Sequence, residues 1–178
     1  SKNKKIKVDQ NEVKRISDYI AKMNIIIFYP EDLELIKGSP GIRRRFLNLE
    51  LSQMDSQYLD LYSEYTKILK MRNDYLKKIN KGISVDIGYL EILNEYFLEK
   101  AIDIYLRRFH FIELLNQKSD RIFFKLSGLN GFHLQYKTSI PIFNKSKDIL
   151  KQNLKEKLDK LKDAEIKLGV TLCGPHRD

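Results

Sequence analysis

The sequence has little of what defines several large protein classes. It has one cysteine, Cys173, in 178 residues, so an internal disulfide is impossible and a cysteine-based metal site is not expected. No apolar run approaches the roughly 20 residues that a membrane-spanning helix needs. The first residues, SKNKKIK, also lack the apolar core of a signal peptide. These absences predict a cytoplasmic protein that does not associate with membranes.

Nucleotide-binding motifs are also missing. The sequence has no G-x-x-x-x-G-K-[ST] run, the loop whose backbone amides cradle a triphosphate. It contains neither an ABC-type signature nor an acidic Walker B strand. His110 and His133 have no second ligand at metal-binding spacing, so no metal site is predicted. We therefore expect no catalytic residue in these 178 residues, and no cofactor or ATP hydrolysis when they stand alone.

The composition favours a helix-rich chain with solvated faces. Hydrophobic residues make up 42% of the sequence, enough for a core, and charged residues make up 32%. The net charge of +9 favours nucleic acid, acidic proteins or anionic membrane surfaces as partners, without choosing among them. A stacking platform for single strands is not indicated, because most aromatic residues fall on predicted core faces.

The first forty residues predict part of an α/β lobe. Residues 6–8 alternate as a short strand, and an amphipathic helix follows over residues 13–23, with Asn11 as its cap. The apolar run at 25–28 is typical of a strand buried on both faces. Such a strand needs a larger sheet than this chain obviously supplies.

The run PEDLELIKGSPGIRRRFLN, at residues 30–48, predicts two helices. Gly38 ends the first helix, and Ser39 followed by Pro40 suits the N-cap and first position of the second. The second helix therefore begins with three consecutive arginines. At about 100° per residue these arginines fan over roughly 200° of the helix circumference, so they cannot all face the core.

Two long helices with matching apolar seams are predicted next. Asp55 and Ser56 cap the first, which ends near Gly82, and the second extends over about residues 86–116. The seam positions of each helix are alternately three and four residues apart, and one of them is an arginine. A short helical lobe is therefore expected rather than an extended coiled coil. The seam residues are Leu61, Tyr65, Ile68, Arg72, Tyr75 and Ile79 in the first helix, and Leu90, Leu93, Phe97, Ala101, Ile104, Arg108, Phe111 and Leu115 in the second.

The remaining residues predict a return to the first lobe. Turns at Gly128 and Gly131 precede a strand at 133–140, and a last helix opens at 144–146 and closes at Gly169. A strand at 170–173 leads into the final GPHRD. We therefore predict an α+β, predominantly helical fold: residues 1–40 in a partial α/β lobe, 41–131 in a helical arm or lid, and 132–178 returning to the first lobe.

At residues 30–48 and 174–178 the sequence resembles the RecF family of bacterial recombinational repair proteins. The matching positions are Pro30, Glu31, Leu35, Ile36, Gly38, Ser39, Pro40, Arg43, Arg44, Phe46 and Leu47, and the run from Gly174 to Asp178 is similar to the family's GPHRD motif. One position departs, since the family pattern has aspartate where this chain has Asn48. The resemblance covers the whole chain, but only part of the family's length.

The resemblance implies the central part of an ATP-dependent DNA-binding protein, with residues 1–40 in its ATPase-head lobe and residues 41–131 as a helical arm inserted into that head. Its P-loop is expected before residue 1, and its ABC signature and Walker B strand after Asp178. The implied whole protein is a weak DNA-dependent ATPase that uses ATP and Mg²⁺, dimerises with nucleotide, and works with RecO and RecR. Its implied roles are DNA replication, gap repair and the SOS response, with single-stranded or duplex DNA as partner.

Seven side chains are candidate site residues, each with a plainer alternative. Arg43, Arg44 and Arg45 suit DNA or phosphate binding, because a guanidinium fork matches phosphate geometry, but they also suit salt bridges to Glu50 or Asp55. His176 and Arg177 suit phosphate contacts or a structural turn. Glu31 and Asp32 suit a place near a nucleotide or its metal, or simple capping of a helix start.

A second function, from a different class, is also consistent with the apolar seams of the two long helices and with the net charge of +9. A basic helical interaction module would bind an acidic protein and have no nucleotide chemistry. Such an adaptor would need neither GPHRD nor a buried strand at 25–28, and these two features favour the first hypothesis.

Overall fold

The computed structural model describes residues 7–8, 11–12, 33–83, 86–141 and 146–178. The chain divides into two compact units, Ser1–Ser63 and Glu64–Asp178, which are described separately. As predicted, the described fold is predominantly helical. The predicted helix at 13–23, the predicted strand at 25–28, and Glu31 and Asp32 lie outside the described residues. The α/β head and the predicted domain boundaries therefore stay predictions.

The first unit begins with a short antiparallel pair of strands. β1 (Lys7–Val8) pairs with β2 (Asn11–Glu12), with Lys7 opposite Glu12 and Val8 opposite Asn11. The strand predicted at 6–8 is therefore confirmed at Lys7–Val8. Asn11, the predicted cap of the helix at 13–23, pairs with Val8 in the strand ladder, and that helix lies outside the described residues.

The helix boundaries around Gly38 are as predicted. α1 (Glu34–Lys37) ends at Gly38, whose amide donates to the Glu34 carbonyl at 2.7 Å. A Cβ at Gly38 would lie 2.5 Å from that same carbonyl oxygen, so the close approach of the backbone requires glycine. α2 (Pro40–Met54) starts after Ser39, whose carbonyl, rather than its hydroxyl, accepts from the Ile42 amide at 3.0 Å.

α3 (Ser56–Asn80) starts in the first unit and ends in the second. Its predicted cap is confirmed, since the Asp55 carboxylate accepts from the Gln57 amide at 2.9 Å. α4 (Ile87–Ser127) is capped by Asp86, whose carboxylate accepts from the Tyr89 amide at 3.1 Å.

α4 is longer than its seam predicts. It was expected to end near residue 116, but it continues to Ser127 and stops at Gly128, which has a left-handed φ of 74°. The added residues contain neither glycine nor proline, so the backbone has no local reason to stop earlier. Despite its length, no helix in the described ranges is apolar enough over a sufficient stretch to cross a membrane.

The core of the second unit lies where α3, α4 and α5 (Lys147–Leu168) meet. The predicted apolar seam is confirmed on α4. Seven of the eight seam residues are buried, and the eighth, Leu115, is half-buried. Leu150, Leu154 and Leu158 on α5 are also buried. One cluster joins all three helices and contains Tyr75, Leu76, Leu90 and Leu93, with Ile68, Ile79 and Ile166 packed against it. The three amphipathic faces thus bury one another.

The strand predicted at 133–140 is wrong, because these residues form an irregular extended segment. The predicted alternation itself holds, since Leu134, Tyr136 and Thr138 are more buried than their neighbours. The Leu134 amide donates to the Asn116 side chain at 2.8 Å, and Asn116 donates back to the Leu134 carbonyl at 2.9 Å. The backbone of this segment therefore forms hydrogen bonds with a helix side chain, whereas the backbone of a strand would bond to a neighbouring strand.

The strand predicted at 170–173 is also wrong, for a similar reason. The Thr171 amide donates to the Asn73 side chain at 2.7 Å, and the Leu172 amide donates to Glu165 at 2.7 Å. Both amides are thus used by side chains of neighbouring helices. The predicted helix end just before this segment is confirmed, since α5 closes at Gly169, which has a φ of 66°.

Candidate nucleic-acid interface

The first candidate site is the arginine cluster at the start of α2. Arg43 is exposed, and its Nη1 donates to the Gly38 carbonyl at 3.1 Å and to the Leu35 carbonyl at 3.3 Å. Gly38 lies in the turn between α1 and α2, and Leu35 lies in α1. Arg43 therefore holds the turn that presents the cluster.

The other two arginines have different surroundings. Arg44 is half-buried, and its Nη2 lies 3.9 Å from the position that a Cβ on Gly41 would occupy, which puts the guanidinium beside the first turn of α2. Arg45 is exposed. The three arginines share one helix start but point in different directions, as their spacing predicts.

Asn48 occupies the position where the family pattern has aspartate. Its side-chain oxygen accepts a hydrogen bond from the Tyr58 hydroxyl at 2.7 Å. A carboxylate would accept the same bond, so the amide preserves this contact without the negative charge. The departure therefore does not remove the link between α2 and the start of α3.

The second candidate site is the GPHRD turn. Gly174 has a φ of 119°, and a Cβ there would lie 2.8 Å from the Phe97 ring. The Arg177 amide donates to the Gly174 carbonyl at 2.8 Å and closes the turn. Both the backbone conformation and the adjacent ring thus require glycine at this position.

His176 is held at both ring nitrogens. Nε2 lies 3.2 Å from the Thr171 carbonyl, which can only accept, so this nitrogen carries the proton. Nδ1 lies 2.6 Å from the Tyr65 hydroxyl oxygen and forms a second hydrogen bond. The Phe97 ring stands edge-on to the imidazole at 6.3 Å. His176 is thus a half-buried part of the turn, held at both nitrogens.

Arg177 presents its guanidinium at the surface. Its Nε and Nη2 donate to the Thr171 carbonyl at 3.1 and 3.0 Å, the same oxygen that accepts from His176. This bifurcated contact fixes the plane of an exposed cation. A guanidinium fixed in this way can donate its remaining N–H groups to the oxygens of a phosphate.

Arg72, which we did not predict as a site residue, holds the backbone beneath the turn. It is 2% exposed, and its three nitrogens donate to Asn94 at 2.7 Å, to Thr171 at 2.7 Å and to Glu165 at 2.6 Å. Glu165 is fully buried and also accepts from the Leu172 amide. The ion pair therefore fixes the segment that orients His176 and Arg177.

A second buried arginine, Arg108, supports the turn from α4. Its Nη1 donates to the Pro175 carbonyl at 2.8 Å and to the Tyr136 hydroxyl at 2.8 Å. Asp178 accepts from the Ser139 amide at 2.9 Å and from the Tyr105 hydroxyl. Burial raises the pKa of Tyr105 well above its usual range, and the adjacent Asp178 carboxylate adds to the effect. Tyr105 is therefore a neutral donor at physiological pH.

The sequence did carry a signal for the two buried arginines. Both stand at seam positions, where an apolar residue is expected and a charge needs a partner inside the core. What the sequence did not reveal was the identity of those partners, because Glu165 and Thr171 lie 93 and 99 residues away from Arg72.

Ion pairs on the surface join the helices of the second unit. Glu95 on α4 accepts from Lys151 at 2.9 Å and from Lys155 at 3.3 Å on α5, and these contacts lower the pKa of Glu95. Glu64 pairs with Lys100 at 2.7 Å, which lowers the pKa of Glu64. Such exposed pairs are each worth less than about 1 kcal/mol.

The structure thus groups the candidate residues into two sets, one in each unit. Arg43, Arg44 and Arg45 share the start of α2, and His176 and Arg177 share the GPHRD turn. Over the ranges that the structure describes, no group of three or more histidine, cysteine, aspartate or glutamate side chains could hold a metal ion.

Comparison with known proteins connects these sites to one family. No family model matches the chain. The chain is 44% identical over 178 residues to the DNA replication and repair protein RecF of Listeria welshimeri, and 42% identical over 180 residues to that of Bacillus pumilus. Each match covers 99% of this chain. The chain belongs to the RecF family.

Solved RecF structures show the same fold. This RecF-family chain matches a structure described as the recombination mediator protein RecF-ATPrS in the RecFOR pathway, with a TM-score of 0.90 and 30% identity over 98% of the chain. A second structure, described as RecF-ATP, gives a TM-score of 0.87 at 29% identity. The chain spans 48% of the length of the two curated relatives and 47% of both solved chains.

Proposed function

We propose that this chain is the central part of a RecF-like, ATP-dependent DNA-binding protein. The observation that carries the proposal is the match to curated RecF proteins over 99% of this chain, at 44% identity to one of them. Those relatives are named for DNA replication and repair, and we extend that role to the protein containing this chain. Recombinational gap repair and the SOS response are its proposed settings.

The proposed whole protein is a weak DNA-dependent ATPase of the ABC type. The solved relatives are described as RecF with ATP and with an ATP analogue, which supports ATP as the nucleotide. We further propose that the whole protein uses Mg²⁺ and dimerises when it binds nucleotide. Its proposed partners are RecO and RecR, and its proposed location is the cytoplasm. Glu31 and Asp32 are proposed to lie near the nucleotide or its metal, and the helical region is proposed to contribute an arm and dimer surface.

The five basic candidates are proposed to contact the DNA backbone, without reading its sequence. Arg45 and Arg177 are exposed and are the side chains best placed for phosphate contact. Arg43 contributes through the turn that it holds, and His176 through the turn that it shares with Arg177. Arg44 lies beside the first turn of α2, where amide donors favour an anion.

The proposal is tested by DNA binding at increasing salt. We expect the chain to bind labelled duplex DNA in fluorescence anisotropy, and to lose affinity between 50 and 300 mM salt with a slope of about 0.9 per phosphate contact. Arg45→Ala and Arg177→Ala should each weaken binding. Arg121→Ala is the matched control, because Arg121 is also exposed but lies outside both candidate sites. Binding that is insensitive to salt, or an equal loss in the control, contradicts the proposal.

A further inference from the structure

The outward face of α3 carries a stripe of five lysines, which we call the lysine ridge. At about 100° per residue, the ridge occupies roughly 100° of the helix circumference. Lys81 follows the last helical residue but still donates its amide to the Lys77 carbonyl at 3.1 Å, so it continues the same face. All five side chains are exposed: Lys67, Lys70, Lys77, Lys78 and Lys81.

The ridge is rigidly presented, because the opposite face of α3 is in the core. Tyr65, Arg72 and Leu76 are each 2% exposed or less and lie on the other side of the helix. The fourteen residue-to-residue steps from Lys67 to Lys81 span about 21 Å at 1.5 Å each. The five charges therefore form a nearly straight line on a fixed support.

These lysines differ from Lys147, Lys151 and Lys155 of α5, which have carboxylate partners on α4. Lys147 pairs with Asp103 at 2.8 Å, and Lys151 pairs with Glu95 at 2.9 Å. Within the described part of the chain, the one ion pair on the ridge joins Lys77 to Asp74 at 3.6 Å. Lysines three or four residues apart repel one another on a helix. The ridge thus concentrates positive charge that the fold itself largely leaves unneutralised.

Glu64 is near enough to Lys67 for that lysine to help lower the pKa of Glu64. Its carboxylate is already paired with Lys100 at 2.7 Å, however, which is the larger cause of the lowered pKa. The charge of Lys67 is therefore only partly offset at this end of the ridge.

The positive surface continues past the end of α3. Asn80 donates to the Lys167 carbonyl at 3.2 Å, which places the last turn of α5 beside the end of the ridge. Lys77 packs its aliphatic stem against Gly169, where a Cβ would lie 2.6 Å from its Cγ. The exposed side chain of Lys167 therefore adds a sixth positive charge next to the ridge.

We propose that the lysine ridge binds the sugar-phosphate backbone of duplex DNA, as a contact surface additional to the arginine cluster and the GPHRD turn. Its length matches about six phosphates of one strand at 3.4 Å each. Lysine supplies point charges without the fork used to read bases, so the contact is independent of sequence. No aromatic side chain lies among the ridge lysines, whereas surfaces for single strands stack bases on aromatic rings.

The composition of the ridge favours DNA over other anionic partners. A helix that lies on a lipid surface buries an apolar face in it, and a protein interface has an apolar centre. The apolar face of α3 is already in the core of the unit, and on the helix itself Met71, at 50% exposure, is the exposed apolar side chain beside the ridge. Ile83 and Leu168 are exposed near the end of the ridge at Lys81, away from its centre. Electrostatic contact with a regular line of phosphates needs no apolar contribution.

A quadruple variant tests the ridge against an equal loss of charge elsewhere. The ridge variant combines Lys67→Gln, Lys70→Gln, Lys78→Gln and Lys81→Gln. The control combines Lys118→Gln, Lys125→Gln, Lys137→Gln and Lys160→Gln, all exposed and outside the ridge. Removing four charges lowers the net charge from +9 to +5 in both variants. Circular dichroism confirms that both remain folded.

The ridge variant should bind duplex DNA at least about tenfold more weakly than the unmodified chain at 50 mM salt. The slope of log affinity against log salt should fall by about 2 to 4, at about 0.9 for each lost phosphate contact. The control should stay within about threefold of the unmodified chain. Equal losses in both variants would mean that net charge alone matters, and would overturn the proposal.

The same experiment separates this proposal from the proposed function. If Arg45→Ala and Arg177→Ala weaken DNA binding while the ridge variant does not, the ridge proposal fails and the proposed function stands. If the unmodified chain does not bind duplex DNA, both fail. If the ridge variant keeps its DNA affinity but no longer binds phosphatidylserine vesicles, the ridge is a membrane surface and the DNA proposal is wrong.

A fluorophore attached to the ridge locates the contact directly. The native Cys173 is buried, so a cysteine introduced by Lys70→Cys is labelled selectively. An environment-sensitive dye at position 70 should change its emission when duplex DNA is added, whereas the same dye introduced by Lys125→Cys should not. An unchanged signal at position 70 under conditions where the chain binds DNA would overturn the proposal.

Discussion

At the scale of single residues, the GPHRD turn depends on buried groups outside the motif. Arg72 reaches Glu165 and Thr171, and Arg108 reaches the Pro175 carbonyl. The seam pattern predicted where these arginines lie. It could not predict their partners, because contacts between residues distant in the chain depend on the packing of whole helices. The contacts of His176 agree with the plainer alternative for GPHRD, a structural turn. The exposed guanidinium of Arg177 agrees with the hypothesis of a phosphate contact.

Cys173 gives a prediction that depends on pH. Burial raises the pKa of its thiol from 9.0 to about 12, and the nearby Glu165 carboxylate adds to the effect. The folded state therefore favours the neutral thiol. This contribution to stability is complete below pH 9 and is lost as the pH rises from about 9 to 12.

A thiol reagent measures this directly. At pH 8 we expect Ellman's reagent to react with Cys173 at least about a hundredfold more slowly in the folded chain than in urea, because the reactive species is the thiolate. Equal rates in the two states would show that the thiol is neither buried nor raised in pKa.

At the scale of elements, the helices were more predictable than the extended segments. Apolar spacing and predicted caps such as Ser39 and Asp55 located the helices, because both signals are local. The end of α4 was missed, since an apolar seam stops marking a helix where its side chains no longer pack. Residues 133–140 have the alternation of a strand, but the groups that bond their backbone belong to a helix, which no local pattern reveals.

The ion pair between Arg72 and Glu165 should hold α3 to α5. Arg72→Met leaves the Glu165 carboxylate buried without its partner, and should lower the free energy of unfolding by about 3–5 kcal/mol. Adding Glu165→Leu should recover part of this loss, because two apolar side chains replace a buried ion pair. Urea unfolding followed by circular dichroism measures both effects.

The exposed substitution Lys118→Met serves as the control, and should change stability by no more than about 0.5 kcal/mol. If Arg72→Met does not fold, Glu165→Gln keeps the shape of the side chain and tests the same pair. A loss below about 1 kcal/mol for either single variant would mean that the pair does not hold the helices together.

At the scale of the whole molecule, the chain combines two units with a broad excess of positive charge. The net charge of +9 predicted an anionic partner but could not locate a binding surface, because lysines are spread along the entire sequence. The fold separates them, pairing three lysines of α5 with carboxylates of α4 and leaving the lysine ridge on an outward face. Charge therefore became informative only once the helix faces were known.

The proposed place of this chain within a longer protein predicts its flanking sequence. We expect the coding region to specify a P-loop before Ser1, and an ABC signature and Walker B strand after Asp178, because these residues contain none of the three motifs. Sequencing the native gene on both sides checks this. A reading frame that ends near Asp178 with no upstream P-loop would reject the ATPase proposal and favour the helical interaction module.

The length of α4 has a mechanical consequence. Its 41 residues form a rod about 60 Å long, and its buried residues lie between Leu90 and Phe111. From Arg121 onward most of its side chains face solvent. The residues beyond Phe111 extend for about 24 Å, so a tilt of about 10° at that point would displace the end of the helix by about 4 Å. A small adjustment of core packing would therefore be enlarged at the tip of α4.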